Sequence, residues 1–393
     1  MTPSLSPFAG LTNVTFQLIT TCNLSCDYCF QDACNVSSSP QGGQQRIVNP
    51  LDTAGILMNL VRLSREDLIM VFSGGEPMLV PVDWYETFFR EMDRCLEGSD
   101  RKVEYSVQTN ISILKPEIID LFRKHEVHFS VHYDGELDDP KLLSKKRKEN
   151  IIALRENGLA VTVLVVGTVE SLKALPASIE FFNSQGIRFY RVNYVSSQGR
   201  GGRVSLIPPE LRAEAEFEAA FLASQFDFNT RDNVVMNKFL HYYNNVICGS
   251  PYSTAPRPQD CMAGVRSAYV AADGLIYPCS FFPGITGPMV RAKDLPSGNM
   301  EEAAAAVAMC KRSNAYYDER CPSCQALPIC GEYCPLSPVT DTNFMESFCS
   351  AQVTLRRMMD RNRDLSELVA GRFIEHKRSY PGDVPRSCGT RTT

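Results

Sequence analysis

Over residues 1–200, short runs of apolar residues alternate with longer stretches whose apolar positions recur every third or fourth residue. The short runs, at 14–21, 68–73, 103–109, 128–133, 160–168 and 188–195, are β-rich and predict strands. The longer stretches, at 52–63, 82–96, 116–125, 142–157 and 172–184, predict helices. In one of them Ile118, Leu121 and Phe122 form the apolar stripe, with Asp120, Arg123 and Lys124 on the other face. Pro116 near a helix start, and Gly158 and Gly186 past helix ends, are consistent punctuation. Six βα units in series predict a parallel sheet with outer helices. Six are too few for a complete eight-stranded barrel. The expected fold is therefore α/β, a partial (β/α)6 barrel of TIM type, with an open doubly wound sheet as the alternative.

The run Gln198-Gly199-Arg200-Gly201-Gly202-Arg203 marks a loop and a boundary. A mostly helical stretch is expected over 209–247, then a Pro- and Ser-rich linker over 250–258. Residues 259–360 read as cysteine-rich and irregular, apart from a helix-like 300–312. A charged amphipathic helix is expected over 351–376, followed by a frayed tail. The expected units are a barrel at 10–200, a helical bridge and linker at 201–258, a cysteine-rich domain at 259–360, and a C-terminal helix and tail at 361–393.

The chain has 393 residues, 44% hydrophobic and 22% charged, which excludes a disordered or fibrous protein. No 18-residue apolar run is present, so a membrane helix is excluded. The first residues carry no basic, apolar signal pattern, so a cytoplasmic protein is expected. A net charge of −5 speaks against a general nucleic-acid binder. There are 15 cysteines and only 5 histidines. In a reducing compartment, so many thiols point to metal or redox chemistry.

The segment Thr21-Cys22-Asn23-Leu24-Ser25-Cys26-Asp27-Tyr28-Cys29-Phe30 places three cysteines directly after the first strand. Three thiolates can hold three corners of a 4Fe–4S cube, leaving one iron open to an outside ligand. A zinc knuckle short of its fourth ligand, completed by Cys34, or simply buried cysteines, are the blander readings. A second group is Cys261, Gly274 and Cys279, then Cys321, Cys324, Cys330 and Cys334, then Cys349. Its C-x2-C pair also suits zinc.

The first segment resembles the radical S-adenosylmethionine (radical SAM) superfamily, whose signature is C-x3-C-x2-C with an aromatic before the last cysteine, here Tyr28. Further strand ends match in order. Ser73-Gly74-Gly75-Glu76-Pro77 resembles the family's GGEP turn, which binds the amino group of S-adenosylmethionine. Gln108-Thr109-Asn110 resembles its QTN element. His132-Tyr133-Asp134-Gly135 stands where relatives have Ser-x-Asp-Gly, so His132 is a departure. The resemblance implies that Tyr28, Gly74, Gly75, Glu76, Gln108, Asn110 and His132 line the S-adenosylmethionine site. Arg147 falls where relatives place a basic residue on the S-adenosylmethionine carboxylate, and 193–195 falls where the backbone meets adenine. The second cysteine group resembles the SPASM extension of the same superfamily. That implies two auxiliary 4Fe–4S clusters, an outer one on Cys321, Cys324, Cys330 and Cys349, and an inner one on Cys261, Cys279 and Cys334. Cys248 is the candidate for the eighth ligand. Cys34, Cys95, Cys310 and Cys388 have no matching partner and read as ordinary thiols.

The resemblance implies three 4Fe–4S clusters, reductive cleavage of S-adenosylmethionine, and a 5′-deoxyadenosyl radical that abstracts hydrogen. It implies an electron donor such as flavodoxin or ferredoxin. SPASM relatives mostly modify peptides, so a precursor peptide is the expected substrate; a small molecule is the alternative, and a zinc-stabilised binding module without catalysis is the reading from another class. With 21 residues before Cys22, no fused N-terminal peptide-recognition domain is expected, and leader recognition falls to another surface or a separate protein. Arg200 and Arg203 could meet substrate carboxylates, though a plain loop is the simpler reading. His125, His128, His241 and His376 have no ligand-like spacing. In formylglycine-forming relatives an acidic residue follows the cysteine of a Tyr-Pro-Cys segment as general base. Here the segment is Tyr277-Pro278-Cys279-Ser280, with Asp273 the nearest carboxylate in sequence. The expected product is accordingly a crosslinked peptide rather than an aldehyde.

Overall fold

A computed structural model describes residues 8–30, 46–137, 143–195, 199–203, 206–226, 234–249, 263–283, 288–295, 321–330 and 342–378. Six strands, β1 (Asn13–Ile19), β2 (Leu68–Gly74), β3 (Val103–Thr109), β4 (His128–His132), β5 (Val161–Gly167) and β6 (Phe189–Tyr194), pair in parallel in the order of the sequence. Five helices connect them: α1 (Pro50–Leu63), α2 (Val82–Leu96), α3 (Pro116–Lys124), α4 (Leu143–Glu156) and α5 (Val169–Ser184). This is the partial barrel that the βα alternation predicts. α5 begins three residues earlier than its apolar pattern, because Thr168 and Ser171 form a reciprocal cap.

The helices are held by an aromatic core. α2 turns Trp84, Tyr85, Phe88, Phe89 and Met92 inward, and Phe72 of β2 meets the first four rings edge-on or near it. Burying one such ring is worth about 1.5–3 kcal/mol, so this face fixes α2 against the sheet.

The expectation of an irregular segment beyond residue 259 is corrected. β7 (Ser267–Val270) pairs in parallel with the free edge of β1, and the antiparallel strands β8 (Leu275–Tyr277) and β9 (Val290–Arg291) follow it. The sheet therefore has nine strands among the described residues. These strands have only 4, 3 and 2 residues, too short to leave an alternating pattern. Gln17 of β1 supports the addition: its buried Oε1 accepts the Ala272 N–H at 3.1 Å, in the turn between β7 and β8.

The helical bridge is α6 (Pro209–Ser224) and α7 (Val234–Tyr242), which runs into a wider turn over Tyr243–Ile247. The single closing helix expected at 351–376 is instead two, α8 (Thr342–Arg361) and α9 (Arg363–Arg378). The polar run from Asp360 to Asp364 carries no apolar position across the join, and Asn362 bonds back to the Met358 carbonyl at 2.9 Å. The expected helix at 300–312 and the linker at 250–258 lie outside the described residues.

Candidate active site at the C-terminal rim of the sheet

The chain leaving β1 is fixed by the turn after β2. Gly75 donates its N–H to the Ile19 carbonyl at 2.8 Å, and Glu76 donates its N–H to Thr21 at 3.0 Å. A Cβ on Gly75 would stand 2.8 Å from the Cys22 nitrogen and closer still to the Thr21 carbonyl. Gly74 has φ +134° and faces the Ile19 backbone as closely. Both glycines thus admit a neighbouring strand end, and so set where the cysteine loop begins.

Glu76 is fully buried. One oxygen accepts the Met78 N–H at 2.8 Å and the Thr109 hydroxyl at 2.6 Å; the other accepts the Asn110 N–H at 2.8 Å. The carboxylate therefore bolts the β2 turn to the β3 turn. Burial pushes its pKa up, against those three donors. Asn110 carries the link on to the cysteine loop. Its Nδ2 donates to Asn23 Oδ1 at 3.0 Å and lies 3.7 Å from Cys22 Sγ.

Cys22, Cys26 and Cys29 are all part-exposed at the rim. Burial raises the Cys22 and Cys26 thiols; in each case a neighbouring cysteine of the three adds to the rise, and Arg147 opposes it at Cys26. The three sulfurs thus share one field. The Tyr28 hydroxyl donates to Asp134 Oδ2 at 2.6 Å, and Asp134 Oδ1 accepts the Val166 N–H at 2.9 Å. Arg147 Nη1 is 3.7 Å from Asp134 Oδ2. The Arg147 guanidinium is buried, and its Nε has no hydrogen-bond partner. Gln108 and His132 meet side chain to side chain at 3.1 Å, between β3 and β4. Burial lowers the pKa of His132, so its ring is held neutral.

The far edge of the sheet closes over this loop. After β6, Arg200 donates its N–H to the Cys29 carbonyl at 3.0 Å and its guanidinium to Ser25 Oγ at 2.6 Å. Gly199, with φ +59°, packs on the Cys29 and Phe30 carbonyls. The Phe30 ring lies 5.1 Å from that of Phe281, two residues past Cys279. The contact therefore joins the first cysteine loop to the β8 end.

A second thiol group forms where 321–330 meets α8. Cys330 is half-buried, and burial pushes its thiol up to about 12; Lys238 opposes this, and the Cys349, Cys321 and Cys324 charges add to it. The four cysteines implied for an outer cluster thus share one field. Cys330 and Cys349 both pack against Met345 and Phe348. Cys248 is disulfide-bonded. A thiolate ligand requires that bond to be reduced. Cys261 and Cys334 lie outside the described residues. Asp273 is exposed and accepts the Leu275 N–H at 3.0 Å in its own turn, at the opposite end of β8 from Cys279.

The sequence reading missed a buried ionic group beside the second set. Glu216 of α6 accepts from Arg212 Nε at 3.1 Å, from Lys238 Nζ of α7 at 2.7 Å and from the Tyr194 hydroxyl at 2.8 Å. Against burial, which would raise it, the Lys238 and Arg212 charges hold the Glu216 carboxyl at about 2. The available signal was an Arg–Glu pair at i, i+4 flanked by alanines on an otherwise acidic helix. Gln352 of α8 was missed too. Both of its side-chain polar atoms are buried with no hydrogen-bond partner.

The donor set fits an iron–sulfur cluster: three soft thiols on one loop at a strand end, with a buried, orphaned guanidinium nitrogen nearby for an anionic co-ligand. Fold and site together define an α/β partial-barrel protein with a three-cysteine loop at the C-terminal rim, where such barrels do chemistry. Residues 16–182 match the radical SAM superfamily, so the chain carries a radical SAM domain. It is 24% identical to a cysteine-type anaerobic sulfatase-maturating enzyme of Clostridium novyi (strain NT), over 84% of this chain and 91% of that one. Its fold is similar to that of native anSMEcpe with bound AdoMet and Cp18Cys peptide, with TM-score 0.67 and 16% identity, over 90% and 99% of the two chains. It is also similar to Streptococcus suis SuiB bound to S-adenosylmethionine, with TM-score 0.59 and 15% identity, over 84% and 74%. No helix among the described residues is long and apolar enough to cross a membrane.

Proposed function

We propose that the protein is a radical SAM maturase that oxidatively crosslinks a ribosomally made precursor peptide. The observation that carries the reading is the three-cysteine loop clamped at the β1 exit, with Arg147 Nε left orphaned beside it. The cluster and S-adenosylmethionine, when bound, supply the one-electron chemistry that produces a hydrogen-abstracting radical. Cys22, Cys26 and Cys29 would hold that cluster. Arg147 would take the S-adenosylmethionine carboxylate, with Asp134 fixing its guanidinium and the Tyr28 hydroxyl. Gln108 and neutral His132 present polar edges at the adjoining strand ends. The rim contacts from Gly199 and Arg200 would hold the loop at Cys29 and Ser25.

Cys321, Cys324, Cys330 and Cys349 would hold an outer auxiliary cluster. Cys279, Cys261 and Cys334 would hold an inner one, with Cys248 as the further ligand once reduced. Three clusters correspond to about 12 irons per chain. The peptide substrate is supported by the relatives: the Clostridium novyi protein is named as a sulfatase-maturating enzyme, and SuiB is described bound to the precursor peptide SuiA. A flavodoxin or ferredoxin would deliver the electron, and a separate protein could present the leader.

Formylglycine formation is the second reading, favoured by the likeness to the sulfatase-maturating enzyme along most of the chain. Against it, Ser280 stands where a carboxylate base is needed, and Asp273 is engaged at the other end of β8. Anaerobic reconstitution followed by mass spectrometry of a co-expressed precursor tests the proposal. The expected result is a crosslinked product lighter by two hydrogens, and 5′-deoxyadenosine formation that disappears when Cys22, Cys26 and Cys29 are replaced by Ala. An uncrosslinked aldehyde, or turnover of a sulfatase-type peptide, would select the second reading. Bound zinc with about four irons per chain would remove the auxiliary clusters from it.

A further inference from the structure

Two buried cations share one buried anion beside the second cysteine group. Lys238, Arg212 and Glu216 are 3%, 5% and 1% exposed. Lys238 Nζ lies 2.7 Å from one Glu216 oxygen and Arg212 Nε 3.1 Å from the other, and the Tyr194 hydroxyl also binds the latter. Among the described residues the carboxylate balances only one of the two cations. An unbalanced charge in a protein interior is costly unless another charge faces it.

The surroundings of the two cations lead to the thiols. The Arg212 guanidinium lies 3.4 Å from the Tyr194 ring centre and 4.7 Å from that of Phe348, the residue before Cys349. Phe348 packs in the same cluster as Cys330 and Cys349. Just past α7, Asn245 Nδ2 donates to the Pro328 carbonyl at 2.8 Å, which holds the Lys238 helix against the 321–330 loop two residues before Cys330. From the other side, Arg356 of α8 donates to the Gln325 carbonyl at 3.2 Å. The buried Lys238 is thus held beside a group of part-exposed thiols.

We infer that Lys238, with Arg212, is the buried counter-charge of the iron–sulfur cluster held by Cys321, Cys324, Cys330 and Cys349, and that it raises that cluster's reduction potential. The inference rests on the auxiliary-cluster reading above. Its physics is direct. Reduction adds one electron to an already negative thiolate-ligated cluster, and a nearby positive charge in a region screened little by solvent or salt favours that added charge. Lys238 is a positioning residue here: it touches neither substrate nor reacting atoms.

The test is a dithionite-poised redox titration of the reconstituted full-length protein, followed by electron paramagnetic resonance. The relevant signal is the one lost in Cys324→Ala. In Lys238→Met the ratio of reduced to oxidised cluster at a fixed potential is expected to fall at least about tenfold, a shift of about 59 mV for one electron. Lys238→Arg keeps the charge and is expected to stay near the wild-type midpoint. Glu216→Gln removes the anion and is expected to move the midpoint the other way. A Lys238→Met midpoint equal to wild type at unchanged iron content overturns the inference. So does a Lys238→Arg shift as large as that of Lys238→Met, which would mark a packing effect. If Lys238→Met does not hold the cluster, Glu216→Gln decides: no rise in its midpoint overturns the inference. If Cys324→Ala loses neither iron nor signal, the cluster reading itself fails, and the inference with it.

Discussion

Glu216 and Gln352 are both buried, and burial gives each an energetic signature. The folded-state pKa of Glu216, about 2, lies below its ordinary value of 4.5. A depressed carboxyl contributes stability that is present above the ordinary value and is lost as pH falls toward the folded one. The window is therefore about pH 4.5 to 2. At about 1.4 kcal/mol per pKa unit the loss is of order 3 kcal/mol. Urea unfolding of the cluster-free chain across that window is expected to show it, and Glu216→Gln is expected to flatten it. Gln352 has the opposite sign. Its amide is buried with no partner, so Gln352→Leu is expected to stabilise the cluster-free chain by about 1–3 kcal/mol. A lower urea midpoint in that variant would contradict the orphaned amide. Neither residue was legible in the sequence. The acidic residues of α6 alternate with apolar ones, which looks like a solvated face, and only the packing of α7 and α8 shows that Glu216 is inside.

At the scale of elements, the two glycines of the β2 turn serve β1. Gly75→Ala would press a methyl group on the Thr21 carbonyl and the Cys22 nitrogen, which are backbone and cannot swing aside. The expected outcome is a loss of more than about 2 kcal/mol of stability, with the first cluster's iron lost and the remainder retained. Iron analysis and urea melts read both. Gly55, exposed within α1 with open space around it, is the control. Gly55→Ala is expected to stabilise by about 1 kcal/mol, through helix propensity alone. All six barrel strands were legible, because each is long enough to show its pattern and is bounded by a helix of different period. The cysteine spacing and the Gly-Gly-Glu-Pro turn were legible as well. What Glu76 does was not: its three bonds run to its own turn and to β3, 33 and 34 residues away. β7 was hidden for a related reason. It joins β1 from more than 250 residues along the chain, and no local pattern records a pairing of that range.

At the scale of the whole molecule, the two cysteine groups are tied to the sheet differently. The first hangs from β1, β2 and β3, and the second joins the 321–330 segment to the helices α7 and α8. On the proposed function, clusters bind the folded chain and not the unfolded one, so removing iron is expected to lower stability. The loss should be uneven. Hydrogen exchange on the iron-free chain is expected to leave amides of β2 to β5 protected by their neighbours on both sides, while those at 21–30 and 321–330 become fast. Equal protection with and without iron would show that the clusters are not needed to order those segments.

The covering of the first cysteine loop also has a timetable. Cys29 is capped by the backbone of Gly199 and Arg200, and Phe30 is met by Phe281. On the ribosome, the thiols emerge long before any of these partners exists. At roughly 5–20 residues per second, synthesis of the capping segment follows after some tens of seconds at the slower rates, and Phe281 comes later still. During that interval the three sulfurs are open to oxidants and to stray metals. Whatever delivers iron and sulfide must therefore either shield the nascent loop or wait for the finished chain and enter at the rim before it closes.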